Sequence, residues 1–317
     1  MPPPLLSLVV PFFNAETWLL PLLQSIDQQL TPEVQLVLVA DGPTDGSVAL
    51  VQGFMEHSGH RPCYLLLQQA NAGVSVARNQ GIRHAAGSYI GFVDADDLLL
   101  PGYIDQVLQA IRSEQPDLIE LGYRRFHQPE QLQSSKARYL HRWAGELPAG
   151  QALLDVASRN QWFPWLRIYR RQVMPDFQFP PAVGYCEDMM ALPALYLACQ
   201  RVYHLRLPLY GYRVHPASLS FQVNQRHKLQ LAHFFSQLQA GLYPDLPERA
   251  RRLMLLHLAY WLYRWQLQQP APDAQTAAMA SQLQQLARRF CWGRGFSWRK
   301  KWQLWHSVAV IQRRFQR

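Results

Sequence analysis

The chain has 317 residues, 49% of them hydrophobic, which is enough for one large domain or two smaller ones with a sizeable core. Its four cysteines (Cys63, Cys186, Cys199 and Cys291) follow no zinc or disulfide spacing and read as reduced thiols, and the Met-Pro-Pro-Pro start lacks the features of a signal peptide. The net charge of +9 is uneven: residues 221–317 hold 15 Lys/Arg against 3 Asp/Glu, so the first 220 residues are mildly acidic.

Taken in chain order, residues 5–10 and 34–40 are apolar runs ended by Pro11 and by Asp41-Gly42-Pro43, the pattern of buried parallel strands that open into loops. Shorter runs of the same kind occupy residues 64–67 and 89–93. Helical patterns fall between them, at residues 18–28, 47–56 and 74–86, the last closed by Gly87. This β-α-β-α order predicts a doubly wound α/β sheet, whose ligands sit beyond the carboxyl ends of the strands. Asn14, Asp41, Asp94 and Asp96 all fall there.

The loop Asp41-Gly42-Pro43-Thr44-Asp45-Gly46-Ser47 has two readings. Asp45 or Ser47 caps the following helix, and Asp41 is set to accept hydrogen bonds from a nucleobase imide. Neither a Gly-Lys-Ser/Thr phosphate loop nor a Gly-x-Gly-x-x-Gly fingerprint is present. Residues 71–79 open a helix at Gly73. Arg78 within it is either a surface arginine or, with the helix N-terminus, a partner for a nucleotide diphosphate.

At Tyr89-Ile90-Gly91-Phe92-Val93-Asp94-Ala95-Asp96-Asp97 an apolar strand runs into three carboxylates. Alternation along an extended chain lets Asp94 and Asp96 face the same side, giving a pair of hard oxygen donors suited to Mg²⁺ or Mn²⁺ with room for substrate phosphates. Asp97 is available to cap a segment from Leu98. From residue 117 to 214 the pattern is mixed, with strands at 118–123, 166–169 and 209–214 and a helix from Asp188 to Leu197. Beyond Phe221 it is helical, broken at residues 270–273. The apolar run at 253–263 contains His257 and is too short to span a bilayer, so the expected protein is soluble or peripheral.

The motifs Val9-Val10-Pro11-Phe12-Phe13-Asn14-Ala15-Glu16, Ala40-Asp41-Gly42-Pro43-Thr44-Asp45-Gly46-Ser47, residues 71–79 and Asp94-Ala95-Asp96-Asp97 resemble, in order and spacing, those of family 2 glycosyltransferases. The resemblance continues through Trp165-Leu166-Arg167-Ile168-Tyr169-Arg170-Arg171, Glu187-Asp188 and Tyr212-Arg213-Val214-His215 with Ser218. It implies a GT-A nucleotide-diphospho-sugar transferase fold over residues 1–220, with a helical C-terminal extension over 221–317. It further implies an inverting transfer of a hexose or N-acetylhexosamine from a UDP-sugar to a hydroxyl of a growing cell-surface polysaccharide or lipopolysaccharide. By this resemblance Pro11, Asn14 and Asp41 line the nucleoside pocket with Arg78 nearby, and Asp94 and Asp96 hold Mn²⁺ or Mg²⁺. Asp188 is the general base, Glu187 orients the acceptor or a loop, and Arg213 or His215 counters the diphosphate charge. Two departures stand out, Ala40-Asp41 in place of a common double aspartate and Pro43 in place of a serine; a third, milder one is Phe13 in place of a common tyrosine. The alternative is a catalytically degenerate nucleotide-sugar-binding or scaffold protein. A nucleotidyltransferase would want a Gly-rich basic loop near the first strand, which is missing.

Trp298, Trp302 and Trp305 share one helical face, with Arg299, Lys300 and Lys301 off it. That pattern suits either an anionic membrane surface or packing on the catalytic domain. No recognised nucleic-acid motif accompanies the basic residues. The expected location is the cytoplasm, peripheral on the inner face of the membrane under the first of these two readings.

Overall fold

A computed structural model describes residues 3–181, 183–216 and 224–266. Ser218, Cys291 and the Trp298–Trp302–Trp305 face lie outside them. The chain divides into two compact units, one of Met1–Ala152 with Phe163–Gln222 and one of Leu153–Trp162 with Val223–Arg317.

The first unit begins with alternating strands and helices: β1 (Leu6–Phe12), α1 (Glu16–Asp27), β2 (Val34–Asp41), α2 (Ser47–His57), β3 (Tyr64–Gln69), α3 (Val74–His84) and β4 (Tyr89–Phe92). Then come β5 (Leu98–Leu99), α4 (Tyr103–Glu114), β6 (Leu118–Phe126), β7 (Ala137–Arg138), β8 (Gly145–Pro148), α5 (Ala149–Arg159), which belongs to the second unit from Leu153 on, β9 (Arg167–Arg170), α6 (Glu187–Ala198) and β10 (Arg201–Arg213). Every residue of β1 is buried, as expected of a strand covered on both faces, and this is why its sequence is a run rather than an alternation.

The strands form one mixed sheet in the order β3-β2-β1-β4-β9-β6-β10-β5, with β7 on β6 and β8 on β10. The first four are parallel: Leu6 pairs with Val34 and with Tyr89, and Leu36 with Tyr64. β9 runs antiparallel to both β4 and β6, and β10 is parallel to β6. The order reverses at β1, where the chain builds outward to β2 and β3 on one side and then crosses to β4 on the other. In such a sheet the crevice opens at that switch point, between the carboxyl ends of β1 and β4.

The strands expected at residues 5–10, 34–40, 64–67, 89–93, 118–123 and 166–169 are present within a few residues of those limits. β10 is much longer than the expected 209–214. The helices α4 and α5 were not anticipated, although α4 buries Tyr103, Ile104, Val107, Leu108 and Ile111 along one face. In the second unit, α7 (Gln225–Gln239) and α8 (Glu248–Gln266) follow the helical pattern read there. Asn224 caps α7, accepting from His227 N–H at 3.0 Å. Among the described residues no helix is long and apolar enough to cross a membrane.

Candidate active site

The loops after β1 and β2 lock together. Asn14 takes a left-handed backbone (φ 46°), which asparagine tolerates, and its Oδ1 accepts from Thr44 N–H at 2.8 Å and Thr44 Oγ1 at 3.3 Å. Asp45 accepts from the N–H of Glu16 and of Ser47, both at 3.1 Å, while Glu16 Oε2 accepts from Gly46 N–H at 2.9 Å. Asp45 therefore serves the first residue of two helices, α1 and α2, beyond the single cap read from sequence. Pro11 is buried in β1 opposite Val39.

Asp41, at the end of β2, is 3% exposed and already well used. Its Oδ1 accepts from Gln69 Nε2 (2.8 Å) and Ala72 N–H (2.9 Å), and its Oδ2 from Gly73 N–H (2.8 Å). These bonds hold the turn that launches α3. Gly42, at φ +62°, has no room for a side chain, since a Cβ would stand 2.5 Å from the Asn71 nitrogen.

That turn aims Arg78 inward. Arg78 is 4% exposed, not the surface arginine its position alone allowed. Nη1 donates to Glu187 Oε1 at 2.6 Å, Nη2 donates to Asp94 Oδ1 at 3.1 Å, and the guanidinium stacks on Phe179 at 5.2 Å. Asn79 secures that ring's backbone, giving one hydrogen bond to Phe179 O and taking one from Phe179 N–H, both 2.8 Å. Burial works against the Arg78 charge, but Asp94 and Glu187 outweigh it and hold the proton on. Arg78 Nε is buried with no hydrogen-bond partner among the described residues.

The three acids after β4 divide their work. Burial raises the Asp94 carboxyl above its ordinary range; Arg78 opposes this and Asp96 adds to it. Asp96 Oδ2 lies 2.7 Å from His215 Nε2. Asp97 is fully buried and caps no helix: it accepts from Tyr210 Oη and Arg213 N–H, each at 2.7 Å, tying the end of β10 to the acid loop. Burial and the neighbouring Asp96 and Asp94 push its carboxyl well up. Arg213 donates from Nε to Asp96 O at 2.7 Å, with its guanidinium between Trp18 (4.8 Å) and Phe126 (4.5 Å). It braces Asp96 from behind. The His215 ring lies 5.0 Å from that of Trp18.

Glu187 and Asp188 are the first two residues of α6, where the helix dipole favours negative charge. Cys186, at φ 59°, is the N-cap, so Asp188 is not. Asp188 Oδ1 accepts from Met189 N–H at 2.6 Å. Burial and then the Glu187 charge push its carboxyl up to about 7, against the pull of Met189 N–H, Arg78 and Arg167. A carboxylate tuned there can take up a proton near neutral pH.

The structure thus joins Asp94, Arg78 and Glu187 in one bonded chain, and pairs Asp96, two residues on from Asp94, with His215. Asp41 and Arg213 act on its supporting loops. Trp18, Phe179, Tyr210 and the supporting role of Asp97 were not read from sequence, since each acts through partners far along the chain. A second buried cluster was also invisible there: Glu120 accepts from Tyr196 Oη and pairs with His141, and Arg167 Nε lies 2.6 Å from Tyr196 Oη. It anchors β6, β9 and α6. Among the described residues no group of three or more His, Cys, Asp or Glu forms a metal cage.

A doubly wound sheet with an acidic strand-end crevice is the architecture of GT-A nucleotide-sugar transferases. S. aureus TarS 1-349 in complex with UDP-GlcNAc superposes with a TM-score of 0.69 at 18% identity, over 89% of this chain and 80% of that one. The mannosyltransferase PcManGT from Pyrobaculum calidifontis, in complex with GDP-Man and Mn²⁺, gives 0.53 at 16%, over 97% and 86%. The profile of glycosyl transferase family 2 matches residues 7–175, and the chain belongs to that family. The uncharacterized glycosyltransferase EpsJ of Bacillus subtilis (strain 168) is 28% identical over 225 residues, 68% of this chain; the chain spans 63% of EpsJ's length.

Proposed function

We propose that the protein is an inverting glycosyltransferase that moves a hexose or N-acetylhexosamine from a UDP-sugar to a hydroxyl of a growing glycan. The observation that carries this reading is the chain Asp94–Arg78–Glu187, which joins the acid loop after β4 to a carboxylate pair whose second member, Asp188, is raised to about 7. The donor identity follows the UDP-GlcNAc carried by TarS, and the family membership supports the reaction class.

Asp94 and Asp96 are oxygen donors that suit Mg²⁺ or Mn²⁺ when diphosphate and water oxygens complete the sphere, and a site of two acids rather than a cage fits that use. His215 Nε2 stands 2.7 Å from Asp96 Oδ2, beside one of the two acids. The bound ion would offset charge on the departing diphosphate. PcManGT, in complex with GDP-Man and Mn²⁺, is consistent with this assignment.

Asp188 accepts the proton of the acceptor hydroxyl while that oxygen bonds to the anomeric carbon. The bond from carbon to the diphosphate oxygen breaks, and UDP leaves with the electron pair. Glu187 fixes the first turn of α6 through Arg78 and keeps the Asp188 carboxyl basic enough to act. Asn14, Pro11 and the Asp41-held turn frame the nucleoside. Lipid-linked glycan acceptors and a cytoplasmic location with the basic C-terminal end on the membrane complete the reading; that end lies outside the described residues. The test is UDP release from a panel of UDP-sugars with glycan acceptors and Mn²⁺. Acceptor-dependent release by the wild type and its loss in Asp188→Asn would support the reading, and no release from any donor would leave a binding or scaffold protein.

A further inference from the structure

Away from the acids, the first unit carries an exposed basic and aromatic knuckle. β10 pairs with β6 with register shifts between Leu205 and Pro208 and again between Pro208 and Tyr210, so Arg206 and Leu207 have no partner in the β6 ladder. A bulge of this kind re-aims side chains. Leu207 is 38% exposed, and the Arg206 guanidinium sits 4.3 Å from the centre of the Tyr139 ring. Tyr139 and Leu207 meet over Gly122, where an added Cβ would stand 2.6 Å from the Tyr139 ring and 2.9 Å from the Leu207 carbonyl.

Trp143 completes the patch. It is 65% exposed, carries the Arg142 guanidinium 4.6 Å from its ring centre, and is fixed by its carbonyl 2.5 Å from His204 Nδ1, three residues before Leu207. Among the described residues no carboxylate lies within ion-pair distance of Arg142 or Arg206, whereas Arg201 on the same strand is paired with Glu146 at 2.7 Å.

We propose that this knuckle, Arg142–Trp143 with Arg206–Leu207 on Tyr139, seats the first unit on an anionic lipid leaflet. What sets Trp143 and Leu207 apart from the other exposed apolar side chains is the guanidinium beside each of them in sequence, with no carboxylate paired to it among the described residues. An indole beside a guanidinium suits the headgroup layer, where the ring is half wet and the fork binds lipid phosphate. Trp143, 65% exposed, projects from the surface rather than lining a groove, which favours a flat charged surface over a soluble sugar chain. From Leu207 to Arg213 β10 advances on the order of 20 Å, so the patch is set apart from the acid site along the strand. The inference stands on the patch alone and does not need the glycosyl-transfer reading.

The test is sedimentation of the full chain with phosphatidylcholine vesicles, with and without about one-third phosphatidylglycerol. The basic residues beyond 221 are the same in every variant, so they do not confound the comparison. Each arginine near an anionic leaflet is worth about fivefold in partitioning. Arg142→Gln/Arg206→Gln is thus expected to cut binding to the anionic vesicles by roughly 20-fold or more, and Trp143→Ala severalfold, with unchanged circular dichroism. Arg142→Lys/Arg206→Lys keeps the charge and is expected to retain most of the binding. Equal partitioning of wild type and variants would overturn the proposal, as would equal binding to neutral and anionic vesicles. Loss of binding to a soluble polyphosphate, with vesicle binding intact, would also overturn it and assign the patch to a soluble anionic polymer.

Discussion

Asp188 offers the sharpest test of the chemistry because its environment fixes the sign of three separate changes. Its carboxyl is pushed up to about 7 by burial and by Glu187, and pulled back by Arg78 and Arg167. If it takes the acceptor's proton, kcat/KM falls on the acid side with a midpoint near that value, and at about pH 6 about one enzyme in eleven has the base ionised, a roughly tenfold loss. Asp188→Asn removes the base and is expected to cost about 10²–10⁴ in kcat across the whole range. Glu187→Gln removes a neighbour that raises the carboxyl, so the acid limb moves to lower pH. Arg78→Gln removes one that lowers it, so the limb moves to higher pH. The assay is initial-rate UDP release at subsaturating acceptor from about pH 5 to 9, read for the limb's position rather than the plateau, since Arg78 also touches Asp94. Limbs that shift the same way in both variants, or a plateau in Asp188→Asn within tenfold of wild type, would refute the reasoning.

The same shift has a stability consequence. An acid whose carboxyl is raised on folding opposes folding increasingly as pH climbs from its unfolded pKa to its folded one, so Asp188→Asn is expected to raise the urea midpoint little near about pH 4 and fully above about pH 7. Asp41→Ala strips acceptors from two backbone N–H groups and Gln69, and is expected to cost about 1–3 kcal/mol for each buried donor left bare; a loss of donor affinity with stability intact would contradict the supporting role. Gly81→Ala sets two effects against each other: helix propensity favours Ala by about 1 kcal/mol, but the new Cβ would stand 2.2 Å from Val9 Cγ1 in the fully buried β1. Overpacking of about 1–3 kcal/mol should win, seen as a lower Tm.

What the sequence disclosed depended on the range of the signal. β1, β2 and α1 to α3 are local patterns, apolar runs and turn residues, and they were readable to within a few residues. β10 was half missed because Arg206 and Pro208 sit in its bulge and break the alternation that marks a strand. α4 carried an amphipathic pattern from Tyr103 to Ile111 that went unread. At the site, residue type and strand-end position sufficed to single out Asp94, Asp96, Glu187 and Asp188. They did not show that Arg78 joins them, because its partners lie 16 and 109 residues away. Nor could they show that Asp41 and Arg213 act on loops, since their acceptors and donors are mostly backbone atoms brought close by folding.

The central claim is that the crevice beyond β1 and β4 binds a nucleotide-sugar diphosphate through a divalent ion on Asp94 and Asp96. Calorimetric titration of UDP and a UDP-sugar panel, with and without Mn²⁺, on wild type and Asp96→Ala tests it most directly. The account expects Mn²⁺-dependent binding to the wild type that is lost in the folded variant. Binding that ignores both the metal and the substitution, or no binding of any UDP ligand by the folded wild type, would contradict it.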